Sequence, residues 1–394
     1  MNDELKILII NAGSSSIKFA LYEKQNKLKQ VLSGKIDRIG LKDASFTIKQ
    51  GNKKTKENID ASSFHTATSS LIDWFEKQDW FNDVKAIGHR IVHGMQHTKA
   101  EIISGDLLNE LNSISSYDPD HLPAEIDIIQ TIQKKHSQLI QICCFDTAFH
   151  TTIPMVAKTF AIPKKYFDEG VQRYGFHGIS YSYLMQQLIK ENAKEAKGKI
   201  ILAHLGNGAS IAAVKDGKCI DTSMGFTPTG GIVMSTRSGD LDPGIAWYLM
   251  QKEMDAKAFN NLINHQSGLL GISGASSDMS DLLQQEKQNT DAALAIDIFC
   301  YQVKKYIGAY TATLGGLDTI VFSGGIGENA PEVRERICNA LQFLGIELDE
   351  KRNGNNEEII STDNSKVTVR VIKTNEELMI AKLVCDVLNY FPKN

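Results

Sequence analysis

Two apolar runs in this chain are each interrupted by a tight turn of small residues. The first run, residues 7–10, meets the turn Asn11-Ala-Gly-Ser-Ser-Ser16 and continues into an apolar segment that ends at Tyr22. The second run, residues 200–203, meets the turn His204-Leu-Gly-Asn-Gly208 and is followed by a similar segment. This pattern predicts a β-hairpin at each place. Because glycine lets the backbone approach an anion, and the turns supply N–H and hydroxyl donors, both are candidate phosphate loops.

The remaining pattern predicts alternating helices and strands. Amphipathic spacing predicts helices over 65–78, 122–136, 180–193 and 291–314, with a closing helix after residue 375. Apolar runs predict strands over 33–36, 44–49, 84–87, 139–145, 319–323 and 367–373. Residues 51–56 and 353–356 are typical of surface turns, and the long irregular stretch 221–244 is typical of a functional loop. Two comparable halves of this kind predict an α/β protein with mixed sheets.

Composition narrows the class of protein. The chain has 394 residues, which predicts two domains, and its 42% hydrophobic and 23% charged residues are typical of globular proteins. A net charge of −4 without a basic block argues against a nucleic-acid partner. No apolar stretch approaches the ~18 residues of a membrane span, and six scattered cysteines without a C-x-x-C pair favour a reducing compartment without a zinc site. We therefore expect a cytoplasmic protein with no membrane partner.

Eight segments, taken in order, resemble the acetate kinases of the acetokinase family of short-chain carboxylate kinases. They are residues 11–18, 88–94, 145–150, 173–178, 204–210, 227–243, 323–329 and 374–378. No single segment is decisive, but the ordered set spans nearly the whole chain and is specific.

This resemblance implies two duplicated actin-like (ribonuclease H-like) domains with mixed sheets and an active-site cleft between them. The N-terminal domain would comprise residues 1–150 and be completed by a C-terminal helix over 376–394. Residues 151–375 would form the nucleotide-binding domain. The implied reaction is reversible transfer of the γ-phosphoryl group of ATP to acetate, which gives acetyl phosphate and ADP. Members of the family are typically homodimers.

The resemblance places the carboxylate substrate at Arg90, whose planar guanidinium group matches a carboxylate with two parallel hydrogen bonds. Val92, Phe176 and Pro228 match the apolar residues that limit substrate size in the family. Asp120 stands where the family usually has an apolar wall residue. Because an unpaired buried carboxylate is costly, we expect Asp120 to turn outward or to pair with a cation.

Three residues match the family's catalytic positions. Arg237 would neutralise charge on the transferring phosphoryl group, and His177 would donate a hydrogen bond to the same oxygens. Asp146 is often described in the family as an acid or base. A carboxylic acid with a pKa near ~4.3 is already ionised at neutral pH, so no proton must be removed from the substrate. Our hypothesis is that Asp146 orients Arg90 or a metal-bound water.

The family's metal positions correspond to Asn11 and Glu376, with Glu377 as the rival carboxylate. Mg²⁺ is the expected ion, since it binds a few oxygen ligands together with phosphates, and Mn²⁺ is an expected substitute. Asn11 stands where related folds commonly carry aspartate, which lowers the charge of the site.

Three further groups match nucleotide-binding segments of the family. The phosphate group comprises Lys18, His204, Leu205, Gly206, Asn207 and Gly208. The adenosine group comprises Gly325, Ile326, Gly327, Glu328 and Asn329. A third segment comprises Asp278, Met279 and Ser280, where Ser280 replaces an arginine of the family.

Three alternatives stay open at this point. A propionate kinase of the same family would use the same mechanism. A nucleotide-switched binding module of the Hsp70 or actin type would give Arg90 and Arg237 no purpose. A sugar kinase on the same fold would need polar residues to read hydroxyl groups. Turnover of short carboxylates with ATP separates the carboxylate kinases from the other two alternatives.

Overall fold

The computed structural model describes residues 5–13, 15–24 and 26–390, and it divides into two units. The first unit extends to Ala148 and includes the closing segment from Asn375, whereas the second runs from Phe149 to Thr374. Ser14 of the first turn and residues 391–394 of the predicted final helix lie outside the described residues.

The described chain contains strands and helices in alternation. The strands are β1 (Leu5–Ala12), β2 (Ser16–Lys24), β3 (Leu28–Asp37), β4 (Ser45–Gln50), β5 (Lys53–Asn58), β6 (Val84–Ile91), β7 (Glu101–Ile102), β8 (Ile140–Phe145), β9 (Lys199–Leu205), β10 (Ala209–Lys215), β11 (Lys218–Thr222), β12 (Thr319–Ser323) and β13 (Thr368–Val371). The helices are α1 (Phe64–Glu76), α2 (Gly105–Ser113), α3 (Leu122–Lys135), α4 (Met155–Lys158), α5 (Lys164–Asp168), α6 (Gly178–Glu191), α7 (Pro243–Met250), α8 (Ala256–His265), α9 (Gly268–Ser273), α10 (Met279–Gln285), α11 (Thr290–Leu314), α12 (Gly324–Asn329), α13 (Pro331–Cys338), α14 (Glu350–Gly354) and α15 (Glu376–Val387).

The first unit is built on a mixed sheet with the strand order β5-β4-β3-β2-β1-β6-β8-β7. Strands β1 to β5 form an antiparallel meander that begins with the predicted hairpin. On its other side β1 pairs in parallel with β6, which in turn pairs in parallel with β8. Since β1 is buried along nearly its whole length, it is the central strand of this unit.

The second unit repeats this plan with the strand order β11-β10-β9-β12-β13. Strand β9 has the antiparallel hairpin partner β10 on one side and the parallel strand β12 on the other. It therefore takes the place that β1 has in the first unit. The predicted α/β class with mixed sheets and an internal duplication is confirmed.

The closing helix α15 packs on the first unit's own sheet, against β1 and β6. Gly88 in β6 makes this approach feasible, because a Cβ atom there would lie 2.6 Å from Val384 and 2.7 Å from Ile380. Asn375 begins the helix by accepting a hydrogen bond from the backbone N–H of Leu378. The carboxylates of the first helical turn are thereby held at a fixed position beside β1.

Several local predictions were wrong. Residues 53–58 form the exposed edge strand β5 rather than a turn, since pairing with β4 orders a segment that has no apolar side. Asn353 belongs to α14 and is only 4% exposed, because its amide binds the buried guanidinium group of Arg334. The short helices α7 to α10 were not predicted at all. The irregular stretch was correctly predicted, and it lies between β11 and α7.

No helix within residues 5–13, 15–24 and 26–390 is long and apolar enough to cross a lipid bilayer.

Candidate active site

The predicted site residues are divided between the two units. In the first unit, Arg90 and Asp146 lie at the carboxyl ends of the neighbouring parallel strands β6 and β8. The register pairs Arg90 with Cys144, so that Asp146, which follows β8, comes close to the guanidinium group. Nε and Nη2 of Arg90 donate to Oδ2 of Asp146 over 3.1 and 2.6 Å. Asp146 is fully buried, and the side chain of Arg90 is 14% exposed.

The guanidinium group of Arg90 keeps its charge in spite of its burial. Burial alone lowers its pKa, but the negative charges of Asp146 and Glu376 outweigh this effect and raise the pKa above the usual value for arginine. One edge of the group is fixed by Asp146, and Nη1 donates to Oδ1 of Asn11 over 3.4 Å. This is the geometry that an orienting role of Asp146 requires.

Sequence reasoning missed Glu125, which holds the backbone beside Arg90. The N–H of Val92 donates to the two carboxyl oxygens of Glu125 over 3.2 and 3.3 Å. Burial, and after it the charge of Asp118, raises the pKa of Glu125 well above its usual value. A signal was present in the sequence, because Glu125 occupies an apolar stripe of α3 at helical spacing from Leu122 and Ile129.

The segment before α3 places its two aspartates differently. Asp120 is partly exposed, which agrees with the expectation that it avoids burial. The buried carboxylate of the segment is instead Asp118, which is 3% exposed and lies 2.8 Å from Nδ1 of His121. His121 is itself 8% exposed, so the segment contributes an ordered imidazole next to the start of α3.

The predicted metal residues lie next to each other in the first unit. Nδ2 of Asn11 donates to Oε2 of Glu376 over 3.1 Å and to Oε1 of Glu377 over 3.4 Å. An amide and two carboxylates in this arrangement offer oxygen donors of the type that Mg²⁺ prefers. The amide oxygen of Asn11 faces Arg90, and the assignment of amide oxygen and nitrogen follows the surrounding hydrogen bonds. The two carboxylates and an amide oxygen are donor types that suit Mg²⁺, but Asn11 directs its amide nitrogen to the carboxylates, so its side chain would have to turn over to bind an ion there.

Lys18 is exposed on β2 and lies directly opposite Asn11 in the antiparallel register. The turn between β1 and β2 is closed by the N–H of Gly13, which donates to the carbonyl of Ser16 over 2.8 Å. Lys18 is therefore placed beside the loop in which the sequence predicts phosphate contacts.

In the second unit, the imidazole rings of His177 and His204 stack on each other. Their centroids are 4.4 Å apart and their planes differ by 21°. His177 has a left-handed backbone conformation, with φ of 59°, immediately before α6. Its neighbour Phe176 is 1% exposed, and the carbonyl of Phe176 accepts a hydrogen bond from Nε2 of His150 over 2.9 Å. His177, whose backbone conformation is strained, therefore lies between the buried Phe176 and the first turn of α6.

The glycine turn between β9 and β10 faces these imidazoles and Arg237. A Cβ atom at Gly208 would lie 3.1 Å from Nε2 of His177 and 3.9 Å from Nη1 of Arg237. Nη1 of Arg237 also donates to the carbonyl of the buried Pro228 over 3.4 Å. Asn207, at the tip of the turn, is exposed and accepts the N–H of Ser235 at its carbonyl. Arginine, histidine and open glycine backbone therefore meet at one place, which suits an anionic group.

The turn after β12 lies beside this glycine turn. Because β9 and β12 are parallel and pair His204 with Ser323, both turns lie at the same edge of the sheet. A Cβ atom at Gly206 would be 3.7 Å from the backbone nitrogen of Gly325, whereas one at Gly325 would meet nothing within 4 Å. The open space over Gly325 allows a flat group to approach the backbone closely.

Other members of the two predicted nucleotide groups have roles within the fold. The side chain of Leu205 is fully buried, and Ile326 is 9% exposed. Glu328 accepts the N–H groups of Gly324 and Thr374, each over 3.0 Å, so its carboxylate holds the turn. Nδ2 of Asn329 donates to the carbonyl of Gly325, and Nη1 of Arg334 donates to the carbonyl of Gly327, each over 2.9 Å.

The third nucleotide segment stands at the start of α10. Asp278 precedes this helix and accepts the backbone N–H groups of Ser280 and Asp281. Met279 is 4% exposed. Within the described part of the chain, no hydrogen bond or ion pair joins Asp278, Met279 or Ser280 to the glycine turns.

Comparison with known proteins identifies relatives over nearly the whole chain. Residues 6–382 match the model of the acetokinase family. An acetate kinase of Thermoanaerobacterium thermosaccharolyticum is 44% identical over 391 residues, which cover 96% of this chain and 98% of that protein. An acetate kinase of Bacteroides thetaiotaomicron is 41% identical over 399 residues, which cover 98% of this chain and all of that protein.

Solved structures of the same family resemble this one. The crystal structure of Porphyromonas gingivalis acetate kinase superimposes with a TM-score of 0.86 at 37% identity, and covers 98% of this chain and 100% of that one. A propionate kinase from Francisella tularensis gives a TM-score of 0.90 at 39% identity, with 96% of this chain and 98% of that one covered. The resemblance expected from the ordered segments is confirmed, and the chain belongs to the acetokinase family.

Proposed function

We propose that this protein is an acetate kinase, which transfers the γ-phosphoryl group of ATP reversibly to acetate and forms acetyl phosphate and ADP. The observation that carries the proposal is Arg90, a largely buried cation whose orientation is fixed by Asp146 and which lies two residues before the buried, apolar Val92. The family uses a nucleotide and a small carboxylate as substrates, and this arrangement suits a small apolar anion.

In the proposed reaction, a carboxylate oxygen of acetate attacks the γ-phosphorus while the bond to the β-phosphate oxygen breaks. Arg90 binds the acetate carboxylate, and Asp146 orients Arg90 without exchanging a proton. Arg237 and His177 act on the phosphoryl group, because charge on its equatorial oxygens must be stabilised in the transition state. Phe176 and Pro228 are both buried within the second unit, and by family resemblance they would limit the size of the acid.

The glycine backbone of residues 206–208 would bind the nucleotide phosphates, with His204 and Lys18 as additional donors. The open space over Gly325 would accept the adenosine. Residues 278–280 are proposed to contact the nucleotide on the basis of family resemblance alone.

A divalent cation would be held by Asn11, Glu376 and Glu377. When bound, Mg²⁺ neutralises phosphate charge, and Mn²⁺ has the same preference for oxygen ligands. The chain's own contribution is to keep these side chains together at the start of α15 and the end of β1.

A propionate kinase is the second candidate, since one relative of known structure with 39% identity is a propionate kinase. The two differ by one methylene group, which is worth about 1–3 kcal/mol in an apolar pocket. The buried Val92 favours the smaller acid.

We also propose a homodimer in which a second copy covers α7. This helix has no buried residue, and Trp247 and Tyr248 are 67% and 55% exposed. Apolar aromatic surface of this kind is typical of an interface. The two units would be the two domains predicted from the sequence. The six cysteines are buried and unpaired, which suits a reducing cytoplasm.

The experiment that tests the function is kcat/KM for acetate, propionate and butyrate with MgATP, with the acyl phosphate trapped by hydroxylamine. We expect acetate to lead. A lead of propionate would identify a propionate kinase. Absence of turnover with every acid, in a protein that binds ATP, would overturn the carboxylate-kinase assignment. An Arg90→Lys variant, which keeps the charge but loses the planar fork, should raise the KM for acetate and leave the KM for ATP unchanged.

A further inference from the structure

The stacked histidines of the second unit are joined by an exchange of hydrogen bonds between two structural elements. The start of α6 supplies His177 and Ser180, and the hairpin of β9 and β10 supplies His204 and Ser210. Nδ1 of His177 lies 2.8 Å from Oγ of Ser210, and Nδ1 of His204 lies 2.8 Å from Oγ of Ser180. Each element therefore fixes the imidazole of the other.

Each serine is in turn bound by a second hydroxyl group. The hydroxyl of Tyr181 lies 2.5 Å from Oγ of Ser210, and Oγ1 of Thr374 lies 2.8 Å from Oγ of Ser180. Ser180, Ser210 and Tyr181 are all fully buried. Burial of a hydroxyl group costs free energy unless the group is hydrogen-bonded. These linked hydrogen bonds are therefore specific arrangements and not chance surface contacts.

The Nε2 atoms of the two rings face the glycine turn. The Cβ position of Gly208 is 3.1 Å from Nε2 of His177, and that of Gly206 is 3.9 Å from Nε2 of His204. Nδ1 of each ring is thus hydrogen-bonded to a serine, and Nε2 is directed to the backbone proposed to bind phosphate.

The direction of the hydroxyl hydrogens decides what Nε2 can do. A serine hydroxyl has one hydrogen, so the hydrogen bonds that join each histidine, its serine and the second hydroxyl group can run in either of two directions. If Tyr181 donates to Ser210 and Ser210 donates to Nδ1, the neutral ring of His177 carries its hydrogen on Nε2. In the opposite direction Nδ1 carries the hydrogen, and Nε2 becomes an acceptor that would repel a phosphate oxygen. The same choice applies to Thr374, Ser180 and His204.

We propose that Ser210 with Tyr181, and Ser180 with Thr374, are positioning residues that hold His177 and His204 as Nε2–H tautomers. The stacked pair then presents two parallel hydrogen-bond donors to one anionic phosphoryl group at the turn of residues 206–208. Two neutral donors suit this stack better than two imidazolium ions, which would repel each other at a centroid distance of 4.4 Å. The inference rests on the proposed function for the identity of the anion, but the tautomers themselves do not depend on it.

The test reads the tautomers directly in the full-length protein. Long-range ¹H–¹⁵N correlation on protein with ¹⁵N-labelled histidine distinguishes Nε2–H from Nδ1–H rings, and His177→Gln and His204→Gln spectra assign the two signals. We expect both rings to be Nε2–H. Finding either ring as the Nδ1–H tautomer overturns the proposal, whether or not the protein is a kinase.

Variants then separate positioning from packing. Tyr181→Phe keeps the buried ring and removes only the hydroxyl, and Ser210→Ala removes the bond to His177. We expect mixed tautomers and a fall in kcat of about 10- to 100-fold, smaller than the ~10²–10³ that follows loss of a donor itself. The KM for acetate should remain unchanged.

Thr222→Val is the matched control. It removes another fully buried hydroxyl of the same sheet, whose partner is the carbonyl of Ile211, without touching either ring. We expect unchanged tautomers and kcat in this variant. If Ser210→Ala fails to fold, Tyr181→Phe carries the test alone. Unchanged tautomers in a folded Tyr181→Phe protein, or an equal loss of kcat in Thr222→Val, would show that these hydroxyls do not position the histidines.

Discussion

Replacement of Asp146 by asparagine separates an orienting role of this residue from acid–base chemistry. Both hydrogen bonds from Arg90 end on the same oxygen, Oδ2, at 3.1 and 2.6 Å. The amide oxygen of an asparagine can accept both bonds from the same position. Asp146→Asn therefore removes the charge of the acceptor and keeps its shape and volume.

The magnitude follows from the strength of the two bonds. The bonds from the charged guanidinium group to a neutral amide remain charge-assisted, but each moves from the upper towards the lower end of the range of about 1.5–3 kcal/mol, so the two bonds together lose up to about 3 kcal/mol. This corresponds to a fall of up to about 150-fold in kcat/KM for acetate. Asp146→Ala removes the acceptor of both bonds and leaves Arg90 with a buried, poorly compensated charge, so its loss should be larger.

The assay is the pH profile of kcat/KM for acetate between about pH 5.5 and 8.5, with hydroxylamine trapping. Acetate is ionised throughout this range, because carboxylic acids have a pKa near ~4.3. If Asp146 only orients Arg90, the wild-type and Asp146→Asn profiles have the same shape and differ by a constant factor. A limb of the wild-type profile that disappears in Asp146→Asn would refute the reasoning and assign a proton transfer to this residue.

Three further predictions follow from burial and from the glycine turn. Because the pKa of Glu125 is raised, its carboxyl group stays protonated in the folded protein at pH values above 4.5, at which it ionises in the unfolded chain. The free energy of unfolding therefore falls as pH rises. Glu125→Gln should therefore flatten the dependence of unfolding free energy on pH above 4.5 in urea titrations, and an unchanged slope would contradict this. Burial lowers the pKa of His89 and of His150 to about 4. Protonation of each ring should therefore lower the free energy of unfolding by up to about 3 kcal/mol as pH falls from 6.5 towards 4. His89→Gln and His150→Gln should each remove part of this acid-induced loss, as measured by the urea midpoint at pH 5 and pH 7, and equal losses in wild type and variants would show that these rings do not titrate as argued. Gly208→Ala should lower kcat by at least tenfold because its Cβ atom would press on Nε2 of His177 at 3.1 Å, whereas Gly308→Ala, whose Cβ atom would meet nothing within 4 Å and which lies outside the site, serves as the control; equal kcat values would contradict the packing argument.

Local sequence pattern was sufficient for the elements that carry the site. The two hairpins, the strand before Arg90 and the strand before Asp146 are each defined by short apolar runs, and they were found within a few residues. Glycine turns at strand ends also have a local cause, because few other residues allow such close backbone approach.

Side chains whose function depends on distant partners were not predictable in this way. Glu125 occupies the apolar stripe of α3, but its partner, the N–H of Val92, is 33 residues earlier in the chain and is brought to it only by the fold. Ser210 lies in an apolar strand, and its role depends on His177, 33 residues earlier in the chain. Asn353 appeared to belong to a surface turn because its partner, Arg334, is on another helix. Such contacts are set by tertiary packing, which the periodicity of one segment does not contain.

The charges around Arg90 give a physical reason for the amide at position 11. Asp146 already compensates the guanidinium group, Glu376 contributes further negative charge, and the Nη1 edge of Arg90 points to Oδ1 of Asn11. A carboxylate at this position would accept a charge-assisted hydrogen bond from Nη1 of Arg90, and it would compete with the substrate carboxylate proposed to bind there. It would also add a third negative charge to the pair of Glu376 and Glu377. Under the proposed function, the neutral amide binds this edge only through a long hydrogen bond of 3.4 Å, so Arg90 would remain available to the substrate carboxylate, whose charge would complete the balance.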